Sequence, residues 1–193
     1  MTDPVTSVRY IGFKAEFFVR KENYGPNDCW RTEKHEIHAL VDDGEEIEVV
    51  GEVRVRILTA SMVDDDLPDI FDSVSQSVYE VYESGEDLIE HTLDNYGVVV
   101  IIDSIEINAE YRGQKLASEY LSELENYLTG LELDHEYMII AAQAGVFTKD
   151  SEKMSETEID AALKRIKAFY LNNGFQEHPH SVMFKNCGID VEW

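Results

Sequence analysis

Hydrophobic and polar residues alternate across residues 10–19, where Ile11, Phe13, Ala15, Phe17 and Val19 share one side and Lys14 and Glu16 the other. A period of two predicts a strand with one buried face. Residues 35–41 carry a weaker version of the pattern. In a longer version, Ile47, Val49, Gly51, Val53, Val55 and Ile57 alternate with Glu48, Glu52, Arg54 and Arg56. The turn Asp42-Asp43-Gly44 ahead of it predicts a hairpin with the preceding segment.

From Leu67 the period lengthens. Ile70, Phe71, Val74, Val78, Val81 and Tyr82 recur at three and four, which predicts one amphipathic helix over 67–83. Val98–Ile102 is an unbroken apolar, β-branched run, as in a strand covered on both faces. Leu116, Ala117, Tyr120, Leu121, Leu124 and Leu128 trace a second helix ending at Gly130, and Tyr137–Ala142 a further strand. The third helix carries Ile159, Ala162, Leu163, Ile166, Phe169 and Tyr170. It opens on a capping box from Ser155 to Glu158 and closes before Gly174. Val182–Phe184 makes a short last strand.

The order is three strands, helix, strand, helix, strand, helix, strand. Strands joined through helices imply parallel pairing, and the leading strands imply an antiparallel part. The class is therefore α+β, with a mixed, mostly antiparallel sheet flanked by helices. No repeat, low-complexity tract or long linker divides the 193 residues, so a single domain over 1–193 is expected, with further strands in 1–45. Residues 20–34 and 143–154 are the expected surface loops.

Charge narrows the partners. A net charge of −24 repels nucleic acid and anionic membrane and favours a cationic partner such as a polyamine or basic peptide. Acidic residues also simply keep a small protein soluble. Cys29 and Cys187 stand far apart and outside any metal spacing, which suits a reducing compartment. His35 and His38, three apart in a strand, point to opposite faces, and His178-Pro179-His180 has no third ligand nearby. No metal is expected. The start of the chain lacks a signal-peptide pattern, and Val98–Ile102, the longest apolar run, is far too short to span a bilayer. A soluble, cytoplasmic protein is the expectation, with self-association as a homodimer left open.

Candidate chemistry gathers between Val98 and Leu128. A buried strand leads through Glu110-Tyr111-Arg112-Gly113-Gln114-Lys115-Leu116-Ala117 into a helix N-terminus. There, free N–H groups and the positive end of the helix dipole converge, a suitable seat for a phosphate-sized anion. Arg112 and Lys115 add two cations to an otherwise acidic chain. The same residues also suit an ordinary strand–helix connection with solvated basic side chains.

The run Ile105–Ala117 resembles motif A of the GNAT N-acetyltransferases, in which Gln/Arg-x-x-Gly-x-Gly/Ala follows the central strand and binds the pyrophosphate of acetyl-CoA. Ala168-Phe169-Tyr170-Leu171-Asn172-Asn173-Gly174-Phe175 resembles motif B, with its aromatic–Tyr pair ahead of Gly-Phe. The likeness covers roughly residues 46–56 and 97–185. Lys115 stands where motif A has its central glycine, and the helix at 67–83 falls between the third and fourth strands instead of after the first.

The resemblance implies a three-layer fold whose sheet splays between its fourth and fifth strands, with acetyl-CoA as co-substrate in the gap. It implies cofactor contacts from Ile105, Glu106, Ile107, Arg112, Gly113, Gln114, Lys115, Leu116, Ala117, Ser118 and Asn172. Catalysis would be direct attack by a primary amine in a ternary complex. Tyr170 is the candidate general acid for the leaving thiolate, although it also fits the apolar stripe of its helix. Glu106 and Asp103 are the candidate bases; three apart on a regular strand, at most one of them should face the site. Lys164, Arg165 and Lys167 suit either the adenosine 3′-phosphate or a solvated face. The acceptor is expected to be a small amine or a basic peptide. The alternative is a GNAT-fold module that binds acyl-CoA or a partner protein without turnover.

Overall fold

In the computed structural model, which describes residues 8–18, 30–41, 46–60, 66–130, 137–145 and 154–188, one seven-stranded sheet runs through the middle. Its strands are β1 (Val8–Phe18), β2 (Arg31–Val41), β3 (Glu46–Thr59), β4 (Val98–Ile107), β5 (Met138–Gln143), β6 (Gln176–Glu177) and β7 (Val182–Asn186), in the spatial order β1-β2-β3-β4-β5-β7-β6. Only β4 and β5 pair in parallel; the other neighbours are antiparallel. The helices are α1 (Leu67–Asp72), α2 (Gln76–Ser84), α3 (Glu86–Asp94), α4 (Leu116–Gly130) and α5 (Glu156–Asn172). This is the α+β arrangement expected from the pattern.

Two apolar clusters make three layers. On one face, Leu116, Tyr120, Leu121, Leu124 and Leu128 of α4, with Tyr170 of α5, pack on Val53, Val55, Val100, Ile102, Ile140 and Ala142. On the other, Ile70, Phe71, Val78, Val81, Ile89 and Leu93 of α1–α3 pack on Leu58, Val99, Ile101, Ile139 and Ala141. Val98–Ile102 feeds both clusters, so every residue of the run is buried. Burying each such side chain is worth roughly 1.5–3 kcal/mol.

The helix expected over 67–83 is two. Ser75 caps α2 by accepting from the Val78 N–H, while the Ser73 hydroxyl turns back to the Ile70 carbonyl. Serine's ability to bond its own backbone breaks the run. Helix α3 was not legible, because its Leu88, Ile89 and Leu93 are thinly spread among acidic residues. β2 begins at Arg31, inside the expected loop over 20–34. Val19 and the hairpin turn lie outside the described residues, yet β2 and β3 pair antiparallel down to Val41 opposite Glu46.

Strict alternation fails at three places. The β1–β2 register shifts between Tyr10 and Gly12, so Val8, Tyr10 and Phe13 face the α4 side and Ile11 is left 42% exposed. The β2–β3 register shifts at Val50, which is buried while Ile47 and Val49 stand out in solvent. The third shift, in β4, shapes the site. Each extra residue reverses which side chains point inward beyond it.

Candidate active site

β4 and β5 run together for five pairs, from Val98 with Met138 to Ile102 with Ala142, and then separate. β4 continues to Ile107, paired among the described residues only with β3. The Asn108 N–H donates to the Val50 carbonyl at 2.9 Å. In an antiparallel ladder the main chain turns toward its partner at every second residue, so Glu106 also turns toward β3. Ile105 and Ile107 therefore direct their N–H and C=O groups into the gap left by β5. Opposite them sits Gly51, where a Cβ would meet the Glu106 carbonyl at 2.6 Å. Glycine lets β3 close tightly on this end of β4.

A bulge sets which side chains face which way. Arg54 lies opposite Ser104 but Val55 lies opposite Ile102, so Asp103 is an extra residue in β4. Ile105 and Ile107 pack against the α4-side cluster, and Asp103, Ser104 and Glu106 line a cavity on the α2 side. This corrects the expectation that at most one of Asp103 and Glu106 faces the site. The spacing of three would oppose them on a regular strand, and the bulge removes one step of the alternation.

The cavity holds about 500 Å³, within the usual range for small-molecule sites. Val78, Val81, Ile101 and Ile102 supply its apolar lining; Arg54, Arg56, Ser75, Ser77 and Gln143 its further polar groups, together with Thr32. The helix expected over 67–83 thus walls it through its α2 half. Arg56 Nε meets the Asp103 carboxylate at 2.8 Å. Burial raises the Asp103 pKa, and the Arg56 charge pulls it back only in part. The Gln143 side-chain N–H₂ donates to the Glu80 carboxylate of α2, which holds the amide in place. Glu106 is exposed and makes no ion pair or side-chain hydrogen bond among the described residues.

The turn after β4 is held at both ends. Tyr111 is buried and donates to Glu48 at 2.7 Å, and Arg112 Nε caps the Ile107 carbonyl at 2.9 Å. Gly113 and Lys115 take left-handed backbone angles, φ 82° and 63°. For a lysine that conformation is strained by roughly 1–2 kcal/mol. It falls where motif A has its glycine. The Lys115 carbonyl accepts from Ser118 and Glu119 at 2.9 and 3.1 Å. Among the described residues, the N–H groups of Gly113, Gln114, Lys115, Leu116 and Ala117 have no backbone acceptor.

The remaining sequence candidates divide. Arg112, Gly113 and Lys115 are exposed, whereas Leu116 is buried in the core, so only its main chain can meet a ligand. Ala117 and Ser118 are half-buried in the first turn of α4; Asn172 is exposed at the end of α5. Tyr170 is 7% exposed, with the Phe169 and Phe175 rings edge-on at 5.1 Å, and does not line the cavity. Burial holds its phenol well above the ordinary tyrosine range. Lys167 is tied to Glu177 at 2.6 Å.

Sequence reasoning missed Arg54, Arg56, Gln143 and the α2 serines as site residues. The only signal was the polar side of the β3 alternation. It also missed a buried polar cluster under β1 and β2. Glu33 and His35 are fully buried. Glu33 accepts from His35 Nε2 at 2.8 Å and from the Tyr127 hydroxyl at 3.0 Å, and pairs with Arg31 at 2.6 Å. The Tyr120 hydroxyl lies 2.7 Å from His35 Nδ1, and Phe13 stacks on the imidazole at 4.6 Å. Six residues thus clamp α4 to the N-terminal strands.

Among the described residues no group of His, Cys, Asp and Glu could hold a metal ion, and no helix is long and apolar enough to cross a membrane. No protein-family model matches the chain, and no curated protein matches it. Among solved structures it is similar to one described as an insect arylalkylamine N-acetyltransferase, from the yellow fever mosquito. Identity is 14% over 80% of this chain and 64% of that one, with a TM-score of 0.37. At that score the likeness carries no argument, so a functional reading has to stand on the parted strands, the turn and the cavity.

Proposed function

We propose that the chain is an N-acyltransferase that moves an acetyl group from acetyl-CoA to a primary amine by direct attack. One observation carries the reading: β4 and β5 part beside five N–H groups that have no backbone acceptor among the described residues, and beside a polar cavity. The three features suit the three parts of such a reaction. The amides of 113–117, with Lys115 and the uncommitted nitrogens of Arg112, suit a diphosphate. Ile105 and the N–H of Ile107 offer main-chain hydrogen bonds to an extended pantetheine arm, the Ile107 carbonyl being met by Arg112. The cavity suits the amine.

Bound acetyl-CoA would supply an activated thioester. An N–H of β4 in the gap would polarise its carbonyl. Glu106 or Asp103 would take a proton from the incoming ammonium, directly or through water, leaving a neutral amine. Its nitrogen bonds the acyl carbon as the C–S bond breaks; the nitrogen gives up its second proton to water as the amide forms, and the sulfur takes one proton from its donor, which water then reprotonates. Tyr170, kept protonated by burial, is the donor proposed for that sulfur.

Binding of CoA without turnover is a second reading. It is favoured by the position of Tyr170, which lies in the α4-side cluster and outside the cavity lining. One experiment separates the two readings: incubation with acetyl-CoA and polyamines, aminoglycosides, amino acids and basic peptides, following free thiol. Amine-dependent thiol release supports acyl transfer. Saturable CoA binding with no release favours the module, and no CoA binding at millimolar concentration refutes both.

A further inference from the structure

The cavity is not built for a simple cation. Two guanidiniums, Arg54 and Arg56, face it alongside two carboxylates, Asp103 and Glu106, so its charged lining sums to zero in a chain of net charge −24. A polyamine would set its second ammonium against the arginines. The charges are also unevenly committed. Asp103 takes Arg56 through Nε, at 2.8 Å, which leaves the two terminal nitrogens of that guanidinium without a partner among the described residues. Across the β3–β4 ladder Glu106 lies opposite Glu52, but Glu52 is held by Lys34 at 2.8 Å and by Arg54 at 3.0 Å. Among the described residues Glu106 has no such cation. The site therefore presents one uncommitted anion and one largely uncommitted planar fork, with apolar Val78 and Val81 on the α2 wall.

We propose that this cavity binds a primary amine that also carries a carboxylate, an amino acid or a close derivative, with its ammonium at Glu106 and its carboxylate on the Arg56 fork. The planar guanidinium matches a carboxylate in two parallel hydrogen bonds, which a lysine could not reproduce. A zwitterion adds no net charge to a lining that has none, whereas a phosphate-bearing amine would leave excess negative charge in an acidic protein. Arg54, with one terminal nitrogen outside its bonds to Glu52, helps to hold the same carboxylate. The proposal rests on the acyl-transfer reading for treating the ligand as an acceptor; binding itself does not require turnover.

The test is calorimetric titration of the protein with the twenty standard amino acids and with the amines formed when each loses its carboxylate. At least one amino acid is expected to bind 10-fold or more tightly than its decarboxylated partner. Arg56→Gln should erase that preference, and Arg56→Lys should restore it only in part. Because Arg56→Gln strands Asp103, the paired variant Arg56→Gln/Asp103→Asn keeps the test clear of misfolding, with the same loss expected. Equal affinities, a preference for the decarboxylated amines, binding of none of the ligands, or an undiminished preference in the paired variant overturns the proposal. Thiol release is read separately: carboxylate-dependent binding with no release would refute acyl transfer and leave this assignment standing.

Discussion

Changing Lys115 separates two contributions that the turn combines, its backbone conformation and its charge. With φ at 63°, an L-residue here carries roughly 1–2 kcal/mol of strain. Glycine escapes that strain but gives back roughly 0.5–1 kcal/mol through its larger unfolded-state entropy. Lys115→Gly should therefore be about 0.5–1 kcal/mol more stable than wild type, and Lys115→Ala, which keeps the strain, about as stable as wild type. Both variants lose the ammonium. Because Lys115 is exposed, its charge is well screened, and CoA affinity should fall only about 3- to 10-fold, or about 0.7–1.4 kcal/mol. Urea midpoints at constant m-value report the first quantity. Calorimetry with CoA at two salt concentrations reports the second, with a shallower salt dependence expected in both variants. Equal stabilities for the glycine and alanine variants would show that the turn is not held left-handed. CoA affinity unchanged in both would remove the ammonium from the diphosphate site, and tighter binding by the glycine variant would mean that close backbone approach outweighs charge.

Removing the Tyr170 hydroxyl with Tyr170→Phe should lower turnover roughly 100- to 10,000-fold, the usual size of general-acid catalysis, while the thermal midpoint barely moves. Equal rates for variant and wild type take the phenol out of the mechanism. Alkaline titration gives an independent check on burial. Tyr120 and Tyr170 are held above the ordinary tyrosine value of about 10 chiefly by desolvation. Above that value the unfolded chain releases protons that the folded chain keeps, so stability is intact below it and falls as pH rises. The expected slope in stability, measured by urea denaturation between pH 10 and 11, approaches about 1.4 kcal/mol per pH unit for each phenol; a flat profile would mean that neither is buried in the protonated form.

Residue order alone determined the class of fold and the position of the turn. Long apolar periodicities such as those of Val98–Ile102 and Leu116–Leu128 are local properties, readable because a buried strand and a half-buried helix each impose their own spacing. Gly113 and the basic pair Arg112 and Lys115 marked the turn for the same reason, since backbone angle and charge are carried by the residues themselves. Ile11, Val49 and Asp103 show where local reading stopped. Each follows the alternation of its own strand, but the direction of a side chain depends on register with the neighbouring strand, and register is a property of two segments. Only the tertiary structure could shift it, and in β4 that shift turned Asp103 into the same cavity as Glu106. Arg54 and Arg56 keep the polar side of the β3 alternation, but only the placing of α2 over that side, with Gln143 at the end of β5, makes it a cavity. Glu33, His35 and Tyr120, far apart in the chain, became a single buried cluster because α4 crosses the N-terminal strands.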